Sequence, residues 1–204
     1  MTKRGFSRST NGIFYIAMQN PEIDLALFAN SEYYSGMILK PQDILVVLKL
    51  IAMNKQGFTY SDIAESLSMS SSEVHAGIKR TTAGHLFDAN TKTPNRKALE
   101  EFLVHGMKYC FIPDRGEITR GIPTSYAASP IQEHIIQQDE YPPVWPYPEG
   151  TVRGYSFTPL YRTAPEAALK DNRLYKLLVI VDALRDSRAR ERDIAVKELK
   201  NMLL

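Results

Sequence analysis

The chain has 204 residues, of which 44% are hydrophobic, and its formal net charge is +2. This length suffices for one large domain or two small ones, and the apolar share allows a sizeable buried core. The nearly balanced charge neither requires nor excludes a nucleic acid partner, because a basic face can be hidden in a balanced total.

The cysteine content and the hydropathy of the sequence limit the cellular compartments in which we expect the protein. The one cysteine, Cys110, excludes an intrachain disulfide framework and fits a reducing environment. No apolar run is long enough to span a bilayer, and the first residues lack the apolar stretch of a signal peptide. We therefore expect a cytoplasmic protein without a membrane partner.

Residues 1–36 precede the first recognisable helical pattern. They include more apolar and aromatic residues than disordered chains usually contain. We interpret them as an N-terminal extension, which is either a poorly ordered tail or an arm that packs on a partner subunit.

Residues 40–54, KPQDILVVLKLIAMN, predict the first helix. Pro41 suits the first helical turn, where its missing N–H is not needed. A broad apolar stripe at helical spacing comprises Ile44, Leu45, Val47, Leu48, Ile51 and Ala52. Because this stripe is wide, other helices must cover it.

The stretch Phe58–Arg80, FTYSDIAESLSMSSSEVHAGIKR, predicts two short helices joined by a tight turn. Thr59 is a candidate N-cap for the first helix, and Ser70 or Ser71 can cap the second. This is the order of parts in a helix-turn-helix, whose second helix enters the DNA major groove.

The second of these helices has two distinct faces. The inward face comprises Val74, Gly77, Ile78 and Thr81, and the outward face comprises Ser72, His75, Ala76 and Lys79, with Arg80 beside them. Hydroxyl and N–H groups near the helix start suit phosphate, while His75 and Lys79 can reach base edges or phosphate oxygens. The alternative is an amphipathic helix pair with a solvated outer face. The agreement of caps, turn and cationic side chains favours DNA binding.

Phe58–Phe87, with the preceding helix, resembles bacterial winged-helix transcriptional regulators of the MarR-like kind. The resemblance runs from TYSDIAESLSMSSSEVHAGIKR into TTAGHLF and covers roughly a quarter of the chain. In that family these parts are a helix, a turn, a recognition helix and a step into the wing. The resemblance implies that the DNA-contacting face comprises Ser70, Ser71, Ser72, His75, Lys79 and Arg80.

The sequence departs from the family at the wing. HLFDANTKTPNRK is short and poor in the β-branched alternation of two recognisable strands. Lys92, Arg96 and Lys97 either contact phosphates from this segment or form a solvated surface at the start of the next helix.

NRKALEEFLVHGMKY predicts another helix, capped by Asn95. His105 and Cys110 lie close in sequence, but a second pair of ligands is missing. We therefore expect no metal and interpret Cys110 as a buried structural cysteine. The sequence also lacks a Gly-rich phosphate loop and a nucleophile with a base, so we expect neither an enzyme nor a cofactor.

Residues 113–165 are rich in Pro, Gly and Tyr and contain more acidic than basic residues, which argues against a DNA-binding surface. PPVWPYP predicts an extended, polyproline-type segment. We interpret the stretch as a long ordered loop whose Trp145 and tyrosines cover the helical core. The alternatives are a docking strip for another protein and a lid over a ligand pocket.

Three helices are predicted from Thr163 to the end: TAPEAALKDN, DNRLYKLLVIVDALRDS and RARERDIAVKELKNMLL. The basic residues near their last connection are Arg185, Arg188, Arg190 and Arg192. They form either a solvated, salt-bridged surface or a second phosphate-contacting patch. By analogy with regulators of the same superfamily, the last two helices are the expected dimer element.

Together these patterns predict a mainly α protein. It consists of the 1–36 extension, a winged helix-turn-helix domain over 37–112, and a Pro/Tyr-rich irregular segment with C-terminal helices over 113–204. We expect a dimeric repressor that binds double-stranded DNA in a sequence-specific way. The alternative is a protein-interaction module, antitoxin-like or an adaptor, whose partner binds the Pro/Tyr-rich segment. The predicted DNA-contacting residues are Ser70, Ser71, Ser72, His75, Lys79, Arg80, Lys92 and Arg96.

Overall fold

The computed structural model describes residues 38–54, 57–136, 140–186 and 188–203. The predicted extension over residues 1–36 lies outside the described residues. Most of the described chain is helical, as the sequence predicts. Residues Leu39–Leu204 form one compact unit, so the unit runs across the predicted boundary between residues 112 and 113.

The first three helices are α1 (Pro41–Met53), α2 (Tyr60–Leu67) and α3 (Ser71–Ala83). The hydroxyls of Thr59 and Ser70 each accept a hydrogen bond from the backbone amide three residues on, and these capping boxes start α2 and α3. Ser68 adopts a left-handed conformation with φ of 52° and turns the chain between the two helices. The predicted pair of helices and its turn are therefore confirmed.

A short hairpin follows α3. Its strands are β1 (Phe87–Asp88) and β2 (Thr93–Pro94), which pair antiparallel. The Asp88 carboxylate accepts a 2.8 Å hydrogen bond from the amide of Asn90 and so holds the turn. The chain continues into α4 (Arg96–His105) and the single turn α5 (Met107–Cys110).

Cys110 is exposed at the end of α5. The interpretation of Cys110 as a buried structural cysteine is therefore wrong. The apolar residue that α5 buries is Met107.

The segment predicted to be irregular contains a three-stranded sheet of β3 (Arg115–Pro123), β4 (Pro143–Pro146) and β5 (Val152–Phe157). β3 pairs antiparallel with both other strands, and β4 pairs parallel with β5, so the sheet closes on itself. Two 3₁₀ turns, Ser125–Ala127 and Ile131–His134, connect β3 to β4. The predictions of an irregular segment and of a polyproline-type PPVWPYP are wrong, because the strands of this segment pair with one another.

Two glycines allow the three strands to come this close. A Cβ atom on Gly121 would lie 2.0 Å from the carbonyl oxygen of Trp145, and one on Gly154 would lie 1.9 Å from that of Pro142. Any side chain at either position would push backbone away from backbone and open the sheet.

The last helices are α6 (Ala164–Lys170), α7 (Asn172–Arg185) and α8 (Ala189–Leu203), which confirms the three predicted helices. α7 lies at the centre of the core, and every residue from Leu177 to Arg185 is buried. It packs against α1, α4, α5, α6, α8 and the first 3₁₀ turn. None of the described helices is both long and apolar enough to cross a membrane.

A buried carboxylate connects α7 to the sheet. Asp182 accepts hydrogen bonds from the Trp145 indole at 2.6 Å, the Thr124 hydroxyl at 2.7 Å and the Arg185 guanidinium at 2.7 Å. Burial raises the pKa of the Asp182 carboxyl, and the Arg185 charge with the other two donors opposes that rise. The carboxylate is thus held by β4, by Thr124 directly after β3 and by its own helix.

Arg185 extends this buried network. Its guanidinium donates to the carbonyl of Phe111 at 2.8 Å and to that of Thr158 at 3.1 Å, and it lies over the Phe157 ring. The end of α7 is thereby bound to the chain on either side of the sheet.

We expect Asp182→Ala to lower the free energy of unfolding by about 3–5 kcal/mol, because it leaves the Arg185 charge buried and unpaired. Urea unfolding of the full chain measures this change. Asp186→Ala is the matched control, since Asp186 pairs with Arg115 at the surface and its loss should cost less than about 1 kcal/mol. Equal losses for the two variants would contradict the structural role of Asp182.

Candidate nucleic-acid interface

The inner side of α3 is buried as the periodicity predicts. Val74, Gly77, Ile78 and Thr81 are the buried residues of this helix, and they face α1 and α2. Gly77 lies close to α1, since a Cβ atom there would approach the Asp43 carboxylate oxygen to 3.1 Å. This close contact fixes which side of α3 faces outward.

The outward side of α3 exposes Ser72, His75 and Lys79. The Lys79 side chain makes no hydrogen bond or ion pair with any described residue. The His75 ring meets the Tyr60 ring edge-on at 5.3 Å, and Tyr60 is 42% exposed. Sequence analysis did not identify Tyr60 as part of this surface, because only the crossing of α2 and α3 brings it to His75.

The start of α3 carries a negative charge. The Ser70 hydroxyl accepts from the Glu73 amide at 3.2 Å, while the Ser70 amide and the Tyr161 hydroxyl donate to the Glu73 carboxylate at 3.0 Å each. Hydrogen bonds from Ser70 and Tyr161 lower the pKa of the Glu73 carboxyl, so it is ionised at neutral pH. Ser70 therefore acts as a helix cap, whereas Ser71 is exposed and makes no bond with the described residues.

The Arg80 side chain lies beneath the outward side of α3 and is not exposed beside the Lys79 side chain. Its guanidinium forms two hydrogen bonds with the Asp43 carboxylate, at 2.7 and 2.6 Å. The Asp43 side chain is fully buried, and the Arg80 side chain is 12% exposed. This bidentate pair ties α3 to α1. The predicted DNA contact of Arg80 does not fit this position, because the guanidinium is already occupied.

Of the three cationic residues near the hairpin, two are exposed and one is bonded within the fold. Lys92, in the turn with φ of 53°, and Lys97 are exposed and have no partner among the described residues. Arg96 donates to the Asn54 side chain at 3.1 Å and to the carbonyl of Leu203. Arg96 therefore joins the start of α4 to the ends of α1 and α8, and only the two lysines are available to phosphate.

A cleft of about 660 Å³ lies beside the hairpin. It is lined by Leu50, Ile51, Asn54, Asp88, Thr91, Thr93, Pro94, Asn95 and Arg96. None of these residues belongs to the Pro/Tyr-rich segment, so the segment is not a lid over this cleft. Among the described residues, no three His, Cys, Asp or Glu side chains are grouped to hold a metal ion.

The four arginines near the start of α8 do not form one patch. Arg185 is buried, and Arg192 donates to the carbonyl of Val104 at 2.5 Å. Only Arg188 and Arg190 of the four are exposed. A second phosphate-contacting patch at this place would therefore have only two of the four predicted arginines.

We expect Arg80→Ala to lower the free energy of unfolding by about 3–5 kcal/mol, because it leaves a buried carboxylate without its partner. Lys79→Ala, the adjacent exposed position, should change it by no more than about 0.5 kcal/mol. Urea unfolding measures both variants. An Arg80→Ala protein as stable as the Lys79→Ala protein would show that the pair with Asp43 is not structural.

Comparison of the chain with protein-family models, with curated proteins and with solved structures gave no match. The likeness of Phe58–Phe87 to MarR-like regulators therefore stays a resemblance.

Proposed function

We propose that the chain is a sequence-specific regulator that binds double-stranded DNA with α3 in the major groove. The observation that carries this proposal is the division of α3 into a buried side and an exposed polar side that includes the unpaired Lys79. The close contact at Gly77 and the Arg80–Asp43 pair hold the helix on α1, so that its exposed side carries His75 and Lys79. Polar side chains on the exposed side of a helix that is held in one position are what reading base edges requires.

The carboxylates around the helix pair determine how DNA would approach. Asp62 and Glu65 are exposed on α2, and Glu73 lies at the start of α3. Phosphates close to these groups would be repelled. We therefore assign base reading to the middle of α3, at His75 and Lys79, and not to the serines at its start.

The β1–β2 hairpin supports the winged form of the proposal. It follows α3 directly, in the chain position of a wing, and it exposes Lys92 in its turn. Lys97 is exposed in the first turn of the next helix. Two unpaired lysines there can neutralise phosphates and add affinity that depends on salt. Each strand of this hairpin has only two residues.

Promoter occlusion by a homodimer remains part of the proposal, but the expected dimer element gains no support. α7 is enclosed in the core, and α8 buries its apolar line of Ala195, Leu199 and Leu203 within the chain. The described outer face of α8 is polar, with Asp193, Lys197 and Lys200 exposed. A large apolar contact between copies would have to use other surfaces.

Selection of bound duplexes from a random pool tests both parts of the proposal. A homodimer with α3 in successive major grooves should enrich inverted half-sites about 10 bp apart. Enrichment of a single, non-palindromic site would contradict the homodimer. Failure to enrich any sequence would contradict sequence-specific reading.

With the selected duplex, we expect Lys79→Ala to weaken binding by about tenfold, the lower part of the range for one base contact. Fluorescence anisotropy over a salt series measures the affinity. Lys197→Ala is the matched control, because it removes an exposed lysine from α8 and should have little effect. Equal affinities of the two variants for the selected duplex would place the interface elsewhere.

A further inference from the structure

Two arginines lie directly opposite each other on the closed sheet. Arg120 of β3 pairs with Arg153 of β5, and both side chains are exposed. The Arg120 carbonyl accepts a 3.2 Å hydrogen bond from the Tyr147 amide, so the polar backbone groups of Arg120 point toward β4. The pair with Arg153 is therefore of the non-hydrogen-bonded kind, in which Cα atoms are only about 4.5 Å apart.

This pair has no counter-charge among the described residues. Neither guanidinium makes an ion pair or hydrogen bond there, although Glu117, Glu140 and Glu149 are exposed in the same part of the chain. Like charges directly opposite on antiparallel strands destabilise a sheet. An anion bound between the two guanidiniums would remove that repulsion and gain charge-assisted hydrogen bonds.

The neighbouring pair on the same side of the sheet is apolar. Ile118 lies opposite Tyr155, two residues along each strand from the arginines, a separation of about 7 Å. Tyr155 is 49% exposed and Ile118 is 37% exposed. The Tyr141 ring meets the Tyr155 ring edge-on at 5.9 Å and steadies it. A flat aromatic surface therefore lies beside a doubly cationic one.

We propose that this arginine–tyrosine face, formed by Arg120, Arg153, Ile118 and Tyr155, binds single-stranded nucleic acid. The guanidiniums would hold a phosphate, and a base would stack on the exposed Tyr155 ring. Every nucleotide carries one anion and one flat ring, which matches a cationic pair beside one exposed aromatic ring. In a duplex the bases are stacked inside the helix, so a duplex would use the arginines and leave the tyrosine without a role.

The face uses no residue of α3, so the inference goes beyond duplex binding and does not rest on it. The excess of acidic residues over 113–165 argues against DNA contact when charges are counted along the chain. The fold changes this conclusion, because pairing of β3 with β5 places two distant arginines side by side. Local charge on a face, and not the sum over a segment, is what a phosphate meets.

Fluorescence anisotropy with the full chain tests the proposal, using labelled single-stranded DNA and RNA of about 12 nucleotides, within the usual site size. We expect saturable, salt-dependent binding. The double variant Arg120→Gln/Arg153→Gln and the variant Tyr155→Ala should each weaken it by about tenfold, whereas Tyr155→Phe should bind like the wild type.

Arg115→Gln is the matched control. It removes an exposed arginine from the same strand, but one that already pairs with Asp186 at 2.7 Å, and it should leave binding unchanged. Thermal unfolding without ligand shows whether the double variant is folded. Its midpoint should not fall below that of the wild type, because the substitutions remove a repulsion.

Four results would overturn the proposal. The first is absence of saturable binding to single strands, and the second is an equal loss of binding in the double variant and in Arg115→Gln. The third is stronger competition by polyglutamate than by an oligonucleotide of equal charge. The fourth is loss of single-strand binding in Lys79→Ala. The third would assign the face to an acidic protein, and the fourth would assign the binding to α3. Duplex selection that fails while single-strand binding persists would overturn only the regulator proposal.

Discussion

The buried carboxylate of Asp182 is the contact on which the arrangement of this protein depends. It accepts hydrogen bonds from the sheet through Trp145, from the chain after β3 through Thr124, and from α7 through Arg185. α7 in turn packs on α1, and α1 holds α3 through the Asp43–Arg80 pair. The hydrogen bonds of Asp182, the packing of α7 on α1 and the Asp43–Arg80 ion pair thus link the sheet to the candidate recognition helix. Buried pairs of this kind add little net stability, but breaking one is costly, so they are suited to fixing one arrangement of the elements.

These structural ion pairs decide which cations remain for a ligand. The arginines Arg80, Arg96, Arg185 and Arg192 are used inside the fold, where the planar guanidinium bonds carboxylates or backbone carbonyls. Lys79, Lys92 and Lys97 stay exposed and without partners among the described residues. Arg120 and Arg153 of the sheet differ from these arginines, because they lie opposite each other and pair with no carboxylate among the described residues. A charged residue close to a predicted interface is therefore not necessarily part of it.

The helical part of the fold could be predicted because its signals are local. Period-3.6 spacing, Pro41 at a helix start, and the caps at Thr59 and Ser70 act within one or two turns of chain. They were enough to predict α1, α2, α3 and the last three helices, and to identify the buried side of α3. For the same reason the exposure of Ser72, His75 and Lys79 followed from periodicity, and that part of the candidate site needed no tertiary information.

Local pattern by itself thus determined a mainly helical chain, the two short helices α2 and α3 with the turn between them, and the buried side of α3. Tertiary structure alone decided the closed sheet within the Pro/Tyr-rich segment, the exposure of Cys110, the burial of Arg80 and the approach of Tyr60 to His75. The sheet, the burial of Arg80 and the position of Tyr60 depend on partners elsewhere in the chain, which are β5 for β3, Asp43 for Arg80 and His75 for Tyr60. A hydrogen bond or ion pair between distant residues leaves no spacing in the sequence, because its geometry exists only after the core has brought both residues together.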